Sequence, residues 1–108
     1  MSRHRVFLIQ EAEEDLLEIY RYVARFDSTR KAEALLQQLE ALCRSLEILP
    51  GRGNHPRELR RLGVTRFREV HRKPYRVIYE LAANQVFVHA VLDGRRDLDD
   101  LLQRRLLR

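Results

Sequence analysis

Residues that cross-link small domains or bind metals are scarce in this sequence. Cys43 is its single cysteine, so an internal disulfide is excluded. The four histidines lack the paired spacing of a zinc site, and we expect neither a metal nor a cofactor. The sequence also has no phosphate-binding loop and no nucleophile-elbow motif, so it lacks the common signatures of nucleotide-binding enzymes and of α/β-hydrolases.

Long apolar runs are also missing. Near the N-terminus only residues 6–9 are consecutively apolar, which is too short for a secretory signal or a membrane span. We therefore expect a cytoplasmic protein with no membrane partner. A length of 108 residues is enough for one buried core, so residues 1–108 are predicted to form a single domain.

Positive charge is concentrated in the middle of the chain. The net charge is +5, from 21 basic and 16 acidic residues. Residues 51–76 contain nine basic and two acidic side chains, whereas residues 77–108 contain five of each. A basic patch of this kind attracts polyanions or an acidic protein, although a charge run is often only a solvated loop. The charge pattern alone leaves three interpretations open: a polyanion partner, an acidic protein partner or a solvated loop.

The spacing of apolar residues predicts two helices in the first half of the chain. The first has its apolar positions at Ala12, Leu16, Ile19, Val23 and Phe26. Asp27-Ser28 then offers an N-cap for the second helix, and Pro50-Gly51 ends it. The apolar stripe of the second helix is Ala32, Leu35, Leu36, Leu39, Leu42, Cys43, Leu46 and Leu49. The short link predicts an antiparallel helical hairpin, in which Cys43 is a packed thiol rather than a nucleophile.

Three strands are predicted in the second half, at residues 67–71, 75–81 and 86–92, after a basic linker at residues 51–66. A turn centred on Ala83-Asn84 would place Leu81 opposite Val86 in the last two strands. One face of this pair then carries only apolar and aromatic residues, which suits packing against the helical hairpin: Tyr75, Val77, Tyr79, Leu81, Val86, Val88, Ala90 and Leu92. The other face is mixed, which predicts a binding groove: Arg76, Ile78, Glu80, Phe87, His89 and Val91.

The C-terminal segment, residues 97–108, is predicted to be a short helix. Its acids come first and its arginines last, as the helix dipole favours. So short a helix must dock through its leucines to be stable. With a short strand at residues 6–9, the elements predict an α+β fold. This fold has an N-terminal strand, an antiparallel helical hairpin packed on a mostly antiparallel sheet, and a short C-terminal helix.

Four segments carry a resemblance to a known family. They are AEEDLLEIYRYVARFD, LEILPGRG, LRRLGVTRFREVHRKPYRVIYEL and VFVHAVLDGRRDLDDLL. In this order they resemble the RelE/ParE superfamily of bacterial type II toxins, and the ParE branch more than the RelE branch. The resemblance implies a RelE/ParE-like fold and a toxin neutralised by a cognate antitoxin, whose acidic segment folds around it.

Two targets follow from the resemblance. ParE-type toxins poison DNA gyrase, whereas RelE-type toxins cut mRNA in the ribosomal A site without a metal. We expect a gyrase inhibitor that is not an enzyme, with a ribosome-dependent mRNA endoribonuclease as the alternative. The residues expected to contact the target or the antitoxin are Arg60, Arg61, Arg68, Arg76, Ile78, Phe87, His89, Val91, Arg95 and Arg96.

Metal-free RNA cleavage would need a base, an acid and cations for the phosphate. The resemblance implies that Arg76, with Arg95 or Arg96, would hold the phosphate. In ribonuclease members the acid or base is usually a Tyr or His near the C-terminus, but no Tyr, His or Lys follows Arg96 here. His89 is the remaining candidate, although a histidine in an apolar strand is more often structural. The missing group favours the gyrase branch.

Overall fold

Four strands and four helices are present in residues 3–108, the part of the chain that the computed structural model describes. The strands are β1 (Arg5–Leu8), β2 (Phe67–Arg72), β3 (Tyr75–Ala82) and β4 (Gln85–Asp93). The helices are α1 (Gln10–Phe26), α2 (Thr29–Arg44), α3 (Arg57–Arg60) and α4 (Asp99–Leu106), with 3-10 turns at Ser45–Glu47 and Pro50–Arg52. Over this described range, no helix has the length and apolar character needed to cross a membrane.

The four strands form one sheet in the order β1-β4-β3-β2. β2, β3 and β4 pair antiparallel, and β1 joins the edge of β4 in parallel. The predicted α+β fold, with a helical hairpin on a mostly antiparallel sheet, is confirmed. The short helix α3 and the 3-10 turn at Pro50–Arg52 were not predicted, because the sequence reads as a linker there.

The helical hairpin covers one face of the sheet. The Ser28 hydroxyl accepts a hydrogen bond from the Lys31 backbone N–H at 3.1 Å, so the predicted N-cap of α2 is confirmed. Buried residues of both helices and of the 3-10 turn that follows α2 pack on the sheet: Ala12, Leu16, Leu39, Cys43 and Leu46 against Val70, Val77, Tyr79, Val86, Val88 and Val91. The ends of the predicted stripes are wrong. Phe26 and Leu49 are 67% and 65% exposed, because α1 ends at Phe26 and α2 gives way to 3-10 turns before Leu49.

The Cys43 thiol is expected to be unreactive in the folded protein. Burial in the hairpin core, with the Glu40 carboxylate nearby, raises its pKa to about 11, and only the thiolate reacts readily. Disulfide-exchange reagent at pH 8 should therefore modify native protein far more slowly than urea-unfolded protein. Because the chain has one cysteine, the whole signal reports on Cys43. Equal rates in the two states would show that Cys43 is accessible.

A β-bulge changes the register of the last hairpin. From the turn to Tyr79 the pairing is as predicted, with Leu81 opposite Val86 and Tyr79 opposite Val88. His89 is then an extra residue, so Ile78 faces Ala90 and Val77 faces Val91. Because one inserted residue reverses which face each later side chain points to, the predicted face is wrong for Ala90, Val91 and Leu92.

Two charged side chains satisfy the polar groups that the bulge leaves unpaired. The Arg105 guanidinium of α4 donates to the His89 carbonyl at 2.6 Å, and the Val91 N–H donates to the Asp15 carboxylate of α1 at 2.9 Å. Arg105 and Asp15 also pair with each other at 2.9 Å. Burial raises the pKa of Asp15, while the hydrogen bond from Arg105 opposes that rise. The bulge therefore ties α1, β4 and α4 together.

The second face of the sheet is covered by α3 and α4. Its buried cluster consists of Leu59, Phe67, Ile78, Ala90, Leu92, Leu98, Leu102 and Leu106. The predicted docking of the C-terminal helix therefore takes place on the face expected to be an open groove. That expectation is wrong for Ile78, which is fully buried under the helices, and for Val91, which lies in the core beneath the helical hairpin.

Candidate functional site

Arg76 on β3 is held between two carboxylates. Its Nη1 and Nη2 donate to Oε2 and Oε1 of Glu58 on α3, each at 2.8 Å, and its Nε donates to Oε1 of Glu69 on β2 at 2.6 Å. The Arg76 side chain is 11% exposed and both carboxylates are 6% exposed. This network fixes the short helix α3 against the sheet.

The pairing favours the charged forms of Arg76 and Glu58. Hydrogen bonds from Arg76 lower the pKa of Glu58, and the hydrogen bond to Glu58 is the main cause that raises the pKa of Arg76. Two carboxyl groups therefore flank one guanidinium in a nearly dry site. An incoming phosphate would have to displace a carboxylate to reach this guanidinium, and breaking such a buried pair is costly.

Two cavities lie on either side of Gly94, which follows β4. One of about 580 Å³ is lined by Arg57, Glu58, Arg61, Gly94, Arg95, Arg96, Asp97, Leu98 and Asp99. The other, of about 340 Å³, is lined by Asn54, His55, Arg57, Arg60, Glu69, His71, Arg76 and Gly94. A Cβ atom at Gly94 would lie 2.8 Å from the Pro74 carbonyl oxygen and 2.9 Å from Cδ of Arg76. Glycine is therefore required where the chain crosses Arg76.

Several residues of these cavities were missed from the sequence. His55 was read as part of the linker and His71 as a strand end, with no role assigned to either. His55 Nδ1 lies 3.0 Å from the Phe67 carbonyl oxygen, and His71 Nε2 lies 3.6 Å from the Glu69 carboxylate. The spacing of Arg57 and Arg60 is a signal that could have found this helix, because residues three apart share a helical face.

The predicted site residues fall into two groups. Arg60, Arg61, Arg76, Arg95 and Arg96 line the cavities beside Gly94, whereas Arg68, Ile78, Phe87, His89 and Val91 line neither.

The second group lies in several places. His89 Nε2 is 3.2 Å from the Glu80 carboxylate, and its ring meets the edge of Phe67. Phe87 stacks on the half-exposed ring of Phe7, with ring centroids 5.6 Å apart. Arg68 donates to the Gly53 carbonyl at 2.9 Å. His89 is thus separate from the arginines that it was expected to assist.

The arginine pair after β4 also borders a third cavity, of about 370 Å³, between α1 and the end of β4. Its lining is Asp15, Glu18, Ile19, Tyr22, Tyr75, Val91, Leu92, Asp93, Arg95 and Arg96. Arg95 turns back to Asp93, with Nη2 and Oδ2 2.7 Å apart, and this hydrogen bond lowers the pKa of Asp93. Because Arg95 is largely exposed, solvent screens the pair and Arg95 can exchange partners readily.

Solved structures of toxin–antitoxin systems share this fold. The chromosomal ParDE system from P. aeruginosa aligns with a TM-score of 0.70 at 17% identity, covering 84% of this chain and 96% of that chain. The toxin–antitoxin complex RelBE2 from Mycobacterium tuberculosis aligns with a TM-score of 0.64 at 20% identity, covering 86% of this chain and 93% of that chain. The likeness establishes the RelE/ParE toxin fold.

A family model decides the assignment. The model of the ParE toxin of the type II toxin–antitoxin system parDE matches residues 6–98. The chain belongs to the ParE toxin family. The resemblance inferred from the sequence motifs is therefore confirmed, and the chain is a type II toxin of the RelE/ParE superfamily. Among curated proteins, the chain has no match.

Proposed function

We propose that this ParE-family toxin inhibits DNA gyrase, so that replication is blocked, and that a cognate antitoxin neutralises it. The observation that carries the proposal is the bonding of Arg76. In a ribonuclease this guanidinium would hold the scissile phosphate, but here Glu58 and Glu69 occupy it. A gyrase inhibitor acts by binding and needs no free phosphate-holding group at this position.

The acid–base groups point the same way. His89, the candidate base, is bonded to Glu80 and does not border the cavities beside Gly94. The C-terminal segment after Arg96 contains only Asp, Leu, Gln and Arg. His89 is therefore not placed to act as the base of metal-free RNA cleavage beside Arg76, Arg95 and Arg96.

The antitoxin is proposed to contact arginines and exposed aromatic residues. Its acidic side chains would meet arginines such as Arg60 and Arg96, which lie at the surface beside Gly94. Its apolar anchors would meet the stacked pair Phe7 and Phe87, because Ile78 is buried under α3 and α4. Coupled folding of a disordered segment onto such a surface is a common recognition mode.

A ribosome-dependent endoribonuclease is the second candidate function, and one observation favours it. His55 and His71 line the same cavity as Arg57, Arg60 and Arg76. Either imidazole could serve as the base or the acid of RNA cleavage if substrate binding displaced the carboxylates from Arg76. This reading places the chemistry at histidines other than His89.

A plasmid supercoiling assay separates the two functions. Purified toxin added to gyrase, relaxed plasmid and ATP should block supercoiling and accumulate cleaved DNA. The double variant His55→Ala, His71→Ala should inhibit gyrase as strongly as the parent, since neither imidazole has a role in that function. Unaffected supercoiling, together with cuts in mRNA during cell-free translation that disappear in the double variant, would replace the gyrase proposal with the ribonuclease.

A further inference from the structure

Three arginines beside Gly94 are not neutralised. The linings of the two cavities together contain six arginines and four carboxylates: Arg57, Arg60, Arg61, Arg76, Arg95 and Arg96 with Glu58, Glu69, Asp97 and Asp99. Arg61 pairs with Asp99, Arg76 with Glu58 and Glu69, and Arg95 with Asp93. Within residues 3–108, the side chains of Arg57, Arg60 and Arg96 have no carboxylate within 4.0 Å, so they are the charges available to a ligand.

The fold fixes the backbone positions of these three arginines. Arg57 and Arg60 are three residues apart on α3, so they project from the same side of the helix. The Arg76–Glu58 pair anchors that helix to the sheet. Arg57 lines both cavities, and Arg96 lines the larger one from the chain that leaves β4. The positive groups therefore border two neighbouring cavities whose linings share Arg57 and Gly94.

The chemistry of these two cavities favours the phosphate backbone of a nucleic acid as the ligand. Arginine is well suited to phosphate because its guanidinium matches the geometry of two phosphate oxygens. Neither lining contains Phe, Tyr or Trp. Single-stranded nucleic acids are held largely by stacking their bases on aromatic side chains, whereas the bases of a duplex are already stacked. The aromatic rings in these linings are the imidazoles of His55 and His71, and they lie against the Phe67 carbonyl and the Glu69 carboxylate. The lack of larger stacking surfaces therefore favours a duplex.

We propose that Arg57, Arg60 and Arg96 bind the phosphodiester backbone of duplex DNA without reading its sequence. With four residues, α3 is too short to act as a recognition helix in the major groove, so contact is with the backbone. This goes beyond gyrase inhibition, since an inhibitor could bind the enzyme alone. The toxin would instead contact DNA directly, and an antitoxin segment lying over these arginines would compete with that DNA.

Fluorescence anisotropy with a labelled 20-base-pair duplex tests the proposal without gyrase, so the result does not depend on the proposed enzyme target. The variant Arg57→Ala, Arg60→Ala, Arg96→Ala is compared with Arg21→Ala, Arg30→Ala, Arg44→Ala, whose arginines are exposed on the helical hairpin. Each variant lowers the net charge from +5 to +2 by removing three arginines. The first should bind about 10-fold or more weakly, and its log–log salt slope should fall by about 3, while the second should resemble the parent.

Three results would overturn the proposal. Equal losses in the two triple variants would show that only net charge matters. Tighter binding of the single strand of the same sequence would assign the surface to unpaired nucleic acid. Tighter binding of a polyglutamate peptide than of the duplex would assign it to an acidic protein. Should the first triple variant fail to fold, Arg96→Ala alone, which lies outside the helix, should lower the salt slope by about 1.

Discussion

Replacing Arg76 with alanine is expected to lower the free energy of unfolding by about 3–5 kcal/mol. The substitution leaves the carboxylates of Glu58 and Glu69 close together, nearly buried and without their cation. It also frees α3 from the sheet, because the Glu58–Arg76 pair joins them. Urea unfolding followed by far-UV circular dichroism measures the loss, and this probe suits a chain without tryptophan.

Two controls separate this effect from the loss of an arginine in general. Arg72→Ala removes an exposed guanidinium from β2, where it donates one hydrogen bond to Gln38, and should change the unfolding free energy by about 1 kcal/mol or less. Adding Glu58→Gln and Glu69→Gln to Arg76→Ala should recover much of the loss, because the uncompensated charges disappear. A loss no larger than that of Arg72→Ala would contradict the buried network.

The alternation of residues in β3 was enough to predict that Arg76 and Val77 point to opposite faces of the sheet. Its partners could have been suspected too, since Glu58 and Glu69 are the two acids among the nine basic residues of the central segment. What the sequence does not contain is their distance from Arg76. Glu58 approaches only because residues 57–60 form a helix, and no periodic pattern is visible in so short a turn.

The bulge at His89 shows a different limit. The turn at Ala83-Asn84 specified the pairing correctly as far as Tyr79 and Val88. A bulge is stabilised by the groups that bond its unpaired backbone atoms. Here Asp15 accepts from the Val91 N–H, 76 residues along the chain, and Arg105 donates to the His89 carbonyl, 16 residues along the chain. Because local sequence contains no trace of such contacts, the faces of Ala90, Val91 and Leu92 could not be assigned in advance.

The role of α4 was predicted in part. Its leucine spacing and its charge order indicated an amphipathic helix that must dock, but neither feature says which surface receives it. The structure places Leu98, Leu102 and Leu106 on Ile78, Ala90 and Leu92, the residues that the bulge brings to one face. The helix therefore covers an apolar patch that exists only in the bulged register. Its docking surface could be predicted only if the bulge in β4 was also known.

Replacing Leu102 with alanine is expected to lower the free energy of unfolding by about 2–5 kcal/mol, because its fully buried side chain fills the space between α4 and the sheet. Amide hydrogen exchange should also speed up in α4 before the rest of the chain, since a helix of eight residues is not stable once undocked. The matched control is Leu17→Ala on α1, where the leucine is half exposed and the loss should stay below about 1 kcal/mol. If Leu102→Ala cost no more than Leu17→Ala and left exchange in α4 unchanged, α4 would not be the cover that keeps Ile78 from solvent. The second face of the sheet would then be open to partners, as the alternation of residues in β3 and β4 had first indicated.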